Sequence, residues 1–200
     1  MIDTVKFFKE KKYVLIKEMI PRDIAKVATQ YSHYDRARLF QPEAESAQIP
    51  GSHSVYGDPL METLLNFGRK TIEKSTGLEL WPTYSYYRLY KVGDMLKRHK
   101  DRPSCEVSIT CCLGYDYKGK KDYNWGMFVG PEDGERGTKG KMIPMEPGDG
   151  VIYRGCEVEH WREAFKAPEG AWQTQVFLHY VDKNGPYGDF CKFDSRPALG

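Results

Sequence analysis

The chain has 200 residues, 40% of them hydrophobic and 29% charged, with a formal net charge of +2. That length suits one domain with a developed core, and the near-neutral balance argues against a nucleic-acid binder or an acidic tail. Five cysteines, an odd number with no paired CxxC spacing and with Cys111 and Cys112 adjacent, fit a reducing compartment better than a disulfide framework.

No long apolar stretch follows the first basic residues, and no run approaches the roughly 18 apolar residues of a membrane span. The expectation is a cytoplasmic protein. Basic clusters at Lys6–Lys12 and Lys118–Lys121 read as solvated surface. Tyr13–Ile16 reads as a short strand. Pro21 can open a helix, with Ile24, Val27, Ala28 and Tyr31 at helical spacing. From His33 to Val55 the pattern breaks down into a long loop, the kind that often serves as a lid. Asp58 can cap a helix, Pro59 fits its first turn and Gly77 stops it. Leu60, Leu64, Phe67 and Thr71 form its stripe, with Met61, Leu65 and Ile72 beside it, and the helix is expected on the outside of a sheet.

After Pro82 the character changes to strands. They are Tyr84–Tyr90, Glu106–Leu113, Trp125–Val129, Lys141–Met145, Asp149–Tyr153, Val158–Trp161 and Gln173–Val181. In the second, Val107 and Ile109 share one face, and Ser108, Thr110 and Cys112 the other. Pro147-Gly148 has the order of a type II turn. Gly130–Gly140, charged and Gly-rich, is a second candidate lid. There is no repeat and no domain boundary. Eight or so short strands predict a mainly β (α+β) fold, a β-sandwich or jelly-roll. It forms one domain over 1–200: a strand and supporting helices in 1–80, the jelly-roll core in 82–182 and a tail in 183–200.

The chemistry is concentrated in Tyr90–Asp101, which ends in His99-Lys100-Asp101. In an extended segment, residues two apart point to one side, so an imidazole and a carboxylate can meet one ion. His160, on a later strand, supplies a third ligand. Two histidines and one carboxylate on one face of a metal leave other positions open, the donor set of non-haem iron(II) oxygenases. Alone, each piece is weak: a charge run such as Lys97–Arg102 is usually solvated, and a lone histidine is usually core. Their co-occurrence in strand context carries the reading. His33, His53 and His179 are set outside the ligand set, although the strand of His179 is expected to line the barrel. Zinc is the competing metal, but no HExxH helix or evident general base favours hydrolysis.

The pattern Tyr90-x-x-Gly93, His99-x-Asp101, Ser108 and Thr110, Pro147-Gly148-Asp149 and His160 resembles the iron(II)- and 2-oxoglutarate-dependent dioxygenases, in particular their prolyl 4-hydroxylase-like branch. It spans Pro82 to Tyr180. The resemblance implies a double-stranded β-helix (jelly-roll or cupin-like) with the N-terminal helices outside one sheet. It also implies Fe(II), 2-oxoglutarate chelated through its 1-carboxylate and 2-keto oxygens, and O2. Succinate and CO2 would be released as a C–H bond of a peptide (prolyl-type) or small-molecule substrate is hydroxylated. Tyr90 matches a position near the distal carboxylate of the co-substrate.

One departure is evident. The last strand, Gln173 to His179, lacks the cation that usually holds that carboxylate. Arg162, two past His160, faces the same way if its segment is extended, and its planar fork suits a carboxylate. The alternative for Arg162 is an ion pair with Glu163. Lys97, Arg88 and Arg102 are reserves, and Ser108, Thr110, Gln173 and Gln175 are neutral candidates for 2-oxoglutarate contacts. Arg102 and Glu106 are expected to fix Asp101 as an ion pair or to orient substrate. Trp125 and Trp161 line either a substrate groove or the core, and Cys112 is a candidate to line the pocket. Two other readings stay open: a non-catalytic jelly-roll that binds a metal or ligand, and a zinc-dependent hydrolase on the same fold. Substrate identity and oligomeric state do not follow from the sequence.

Overall fold

Helix α3 (Pro59–Thr76) begins and ends where its sequence directs. Asp58 is extended and accepts from the Met61 N–H, Pro59 fills the first turn, and Gly77 closes the helix at φ 73°. The computed structural model that shows this describes residues 3–38, 48–130 and 140–199. The buried side of α3 is Met61, Leu64, Leu65, Gly68 and Ile72, and Phe67 is exposed. The stripe is thus rotated from the expected one. Gly68 explains the rotation: a Cβ there would stand 2.8 Å from Met19 Cε, so the glycine lets the helix come close.

Two corrections concern the N-terminal region. Helix α2 (Arg22–Arg38) runs past His33, so the start of the expected loop is helical. Its inward face is Ala25, Ala28, Thr29 and Ser32, while Val27 lies on the surface. A small, partly polar inward face hides a helix from apolar periodicity. The cluster Lys6–Lys12 lies largely on α1 (Thr4–Lys11), capped by Asp3 and docked through Phe8, with its lysines turned outward. The expected lids fall mainly on 39–47 and 131–139, outside the described residues. No described helix is long and apolar enough to cross a membrane.

The strands are β1 (Tyr13–Ile16), β2 (His53–Tyr56), β3 (Leu80–Lys91), β4 (Leu96–His99), β5 (Val107–Asp116), β6 (Met127–Val129), β7 (Lys141–Ile143), β8 (Gly150–Arg154), β9 (His160–Arg162) and β10 (Trp172–Asp182). β2 corrects the other end of the expected loop. The strands pair antiparallel in two sheets, ordered β1-β8-β5-β10-β3-β2 and β4-β9-β6-β7. Period-two alternation divides the larger sheet. Tyr87, Leu89, Ile109, Leu113, Val176 and Leu178 pack toward the helices in one core. Tyr84, Tyr86, Arg88, Tyr90, Ser108, Thr110, Phe177 and His179 belong to the opposite face, turned to the smaller sheet. The result is a mainly β jelly-roll with helices on the outside of one sheet, as expected. The Glu146–Asp149 turn has Gly148 at φ 94° and closes through the Asp149 N–H to the Glu146 carbonyl, 2.9 Å.

The segment read as a tail carries structure. After α4 (Gly188–Cys191), Phe193, Asp194 and Ser195 all have positive φ. Asp194 holds this turn: Arg102 donates to its two oxygens at 2.7 and 2.8 Å, and Tyr56 Oη donates at 2.7 Å. Arg102 therefore holds the Asp194 carboxyl well below the usual carboxylate range, against the upward push of burial. A depressed folded pKa gives stabilisation that is present above the unfolded value of about 3.9 and is lost as pH falls through the folded one. Asp194→Asn is expected to raise amide hydrogen exchange in residues 192–196 at neutral pH. The unmodified tail should reach the same state only in acid.

Candidate metal centre

The geometry of the site begins with an irregularity. Across β4 and β9, Leu96 pairs with Arg162 and His99 with His160, so β4 holds one extra residue. Such a bulge re-aims the side chains beside it. Asp101 lies just beyond β4 rather than on it, its N–H donating to the Gly155 carbonyl at 2.8 Å. Gly155 must be a glycine, because a Cβ there would stand 2.4 Å from Asp101 Oδ2.

His99 Nδ1 lies 2.7 Å from the Lys97 carbonyl and His160 Nδ1 lies 3.1 Å from the Val158 carbonyl. A carbonyl only accepts, so both Nδ1 atoms carry the proton and both Nε2 atoms present lone pairs. Those atoms stand 3.6 and 3.4 Å from Asp101 Oδ1, and one donor atom from each residue falls within 4.8 Å of the others. Burial opposes a charged Asp101, but without a metal a proton on His160 Nε2, and then on His99 Nε2, is donated to it and holds its pKa well below the carboxylate range. Burial likewise pushes the His99 pKa down, and Asp101 more than reverses that. An anion faces two imidazoles, the donor set and charge for a divalent cation. His33 and His53 lie on the helix side against Trp172 and Tyr87, apart from this cluster.

The cluster opens into a cavity of about 240 Å³ walled by Tyr84, Tyr86, Arg88, Leu96, Phe177 and His179. These aromatic wall positions were not singled out in the sequence, although the alternation Tyr84, Tyr86, Arg88, Tyr90 carries the signal. Beside Leu96 on β9 is its strand partner Arg162, fully buried. Arg162 Nη1 donates to the Trp125 carbonyl at 2.6 Å, and its Cζ is 5.0 Å from the Trp125 ring and 6.0 Å from the Tyr90 ring. Arg162 Nε and Nη2, Tyr90 Oη and Gln175 Nε2 are buried with no hydrogen-bond partner among the described residues. Burial lowers the Arg162 pKa.

The other candidates are placed as follows. Arg102 turns away from Asp101 to Asp194. Glu106 accepts from Arg154 at 3.3 Å and from the Asp182 N–H at 2.9 Å, so neither residue fixes Asp101. Trp125 is core, stacked on Phe165, with Nε1 donating to the Glu163 carbonyl. Trp161 stacks on Phe128 and under Arg98 on the smaller sheet. Ser108 Oγ reaches Asp101, and Thr110 donates to Gln175 Oε1 at 3.1 Å. Gln173 accepts from Tyr117 Oη and donates to the Trp125 carbonyl at 3.3 Å, beside Arg162. Cys112 is fully buried on the Ser108 face.

No protein-family model matches the chain, and no curated protein matches it significantly. Solved structures do. A prolyl-4-hydroxylase of Pseudomonas putida aligns with 90% of this chain and 97% of its own at 18% identity and a TM-score of 0.64. The non-haem α-ketoglutarate-dependent epimerase SnoN of nogalamycin biosynthesis aligns with 98% of this chain and 89% of its own at 14% identity and a TM-score of 0.72. A 2OG-Fe(II) oxygenase-family oxidoreductase from Burkholderia pseudomallei aligns with 97% and 93% at 16% identity and a TM-score of 0.64. The jelly-roll that carries His99, Asp101 and His160 is the fold of these 2-oxoglutarate- and iron-dependent enzymes.

Proposed function

We propose that the chain is an Fe(II)- and 2-oxoglutarate-dependent oxygenase that hydroxylates a C–H bond. The observation that carries this reading is the pairing of two sites in one barrel. His99, Asp101 and His160 bring one donor atom each within 4.8 Å of the others, and a buried cation with orphaned donors is the strand partner of Leu96 in the cavity wall. Buried polar groups are normally satisfied, so four orphaned donor atoms mark a place for an acceptor. A dicarboxylate that reaches from the metal to Arg162 meets both ends of that demand. Bound there, iron and 2-oxoglutarate supply the oxidising power from O2, with succinate and CO2 as co-products.

The protein's own part is positioning. His99, Asp101 and His160 would hold the metal. Arg162 Nε and Nη2 would bind the distal carboxylate, with Tyr90 Oη and Gln175 Nε2 completing the cradle. Tyr84, Tyr86 and Phe177 give the metal cavity an aromatic wall against which a substrate would pack. The substrate is a peptide, prolyl-type, or a small molecule. The fold neighbours span both kinds, a prolyl hydroxylase with a peptide fragment and an epimerase with nogalamycin RO. The whole chain acts as one domain in the cytoplasm.

Addition of Fe(II) and 2-oxoglutarate without oxygen should give the weak visible charge-transfer band of the chelate, and oxygen should then release succinate. Absence of both in folded protein sinks the reading in favour of a non-catalytic jelly-roll. Hydrolytic activity restored by zinc and not by iron would place a hydrolase here instead.

A further inference from the structure

The donor set has an outer support, Ser108 and His179, of which only Ser108 belongs to the sequence pattern. Asp101 turns Oδ1 to the two histidines and Oδ2 to Ser108 Oγ at 3.0 Å. Ser108 Oγ also lies 3.0 Å from the Cys105 carbonyl and 2.8 Å from His179 Nδ1. A serine hydroxyl has one proton to give and lone pairs to receive. The carboxylate and the carbonyl can only accept, so the serine proton is directed to them. The bond to His179 is then an Nδ1–H donation into the serine oxygen.

His179 is held for that task. It is 6% exposed, and its ring lies 4.5 Å from that of Tyr84. Asp101, Cys105 and His179 also converge as donors. Cys105 Sγ lies 3.1 Å from Tyr84 Oη, and burial pushes its thiol pKa up.

Resting on the oxygenase reading above, we infer that His179 and Ser108 form a positioning relay that holds Asp101 Oδ2, so that Asp101 offers a metal one oxygen only. A carboxylate that swings to bind through both oxygens fills a position that the co-substrate needs. A hydroxyl donor fixed on Oδ2 opposes the swing, and His179 fixes the hydroxyl. Outer partners of metal ligands commonly matter this much.

Co(II) tests the relay without turnover, through its affinity and its visible ligand-field spectrum. Ser108→Ala and His179→Leu should each weaken Co(II) binding by roughly 10- to 100-fold. Each should also change the spectral shift that 2-oxoglutarate causes. His179→Asn, whose side-chain N–H stands near the place of Nδ1–H, should retain most of the affinity. Because both residues act on one contact, the double variant should be no worse than Ser108→Ala alone. Wild-type affinity and spectrum in both single variants overturn the relay, as does simple additivity. So does a loss that tracks a lowered melting temperature of the metal-free protein and extends to His179→Asn. If the unmodified protein binds no Co(II) at all, the oxygenase reading fails and the relay with it.

Discussion

His160→Ala is expected to abolish 2-oxoglutarate turnover and to weaken Mn(II) binding, measured calorimetrically in place of iron, by at least about a hundredfold. The floor follows from the cost of disturbing partners that merely support a ligand, about 10- to 100-fold, which loss of a ligand itself must exceed. His160 is 2% exposed, faces His99 across the β4–β9 pair with ring centroids 4.3 Å apart, and is backed by Tyr153 at 4.4 Å. His99→Ala should behave alike. His33→Ala, on the helix side, should leave metal affinity unchanged, which separates loss of a ligand from loss of any histidine.

Arg162→Met is the second large effect, and it should appear in 2-oxoglutarate binding rather than in folding. Truncating one partner of a buried, hydrogen-bonded charge pair costs about 2–5 kcal/mol. At about 1.4 kcal/mol per tenfold, the Kd for 2-oxoglutarate should rise roughly thirtyfold to several thousandfold. Metal affinity should stay near wild type. In the ligand-free protein Arg162 has two orphaned nitrogens and a pKa lowered by burial, so an apolar side chain of similar length relieves a cost. The melting temperature should therefore hold or rise, since Gln173 still donates to the Trp125 carbonyl. Arg162→Lys should recover part of the affinity, because an ammonium supplies charge without the fork. Arg88 lines the metal cavity itself, so Arg88→Met is the control: a larger loss there would move the distal carboxylate to Arg88.

What the sequence discloses follows the range of the interactions. The cap, proline and glycine of α3 act within one turn, and all three appear where they are read. The alternation in β5, with Val107 and Ile109 toward the helices and Ser108 and Thr110 toward the barrel, is equally local. The three proposed metal ligands are legible because two share one short segment. The missed features depend on neighbours distant in sequence. α2 turns alanine, threonine and serine inward because the sheet beneath it leaves little room: a Cβ on Gly114 would stand 2.8 Å from Thr29 Oγ1. Arg102 is drawn from Asp101 by Asp194, a partner 92 positions away that no local rule supplies. The bulge in β4 that aims His99 is a property of its pairing with β9, not of the residues Leu96–His99.

The order of the larger sheet gives its N-terminal strand a protective duty. β1 is only four residues long and covers β8, which reads Gly-Val-Ile-Tyr-Arg. Lys17, just past β1, reaches Asp149 at 2.6 Å, and the Glu18 N–H donates to the same carboxylate at 3.1 Å, so the strand is pinned to the turn that launches β8. A short edge flanked by Lys11, Lys12 and Lys17 discourages a second molecule from adding its own strand. Loss of β1 would bare the β-branched edge of β8, and with it a template for self-association. The guard on this edge of the sheet is thus a segment that itself supplies neither a proposed metal ligand nor a cavity-lining residue.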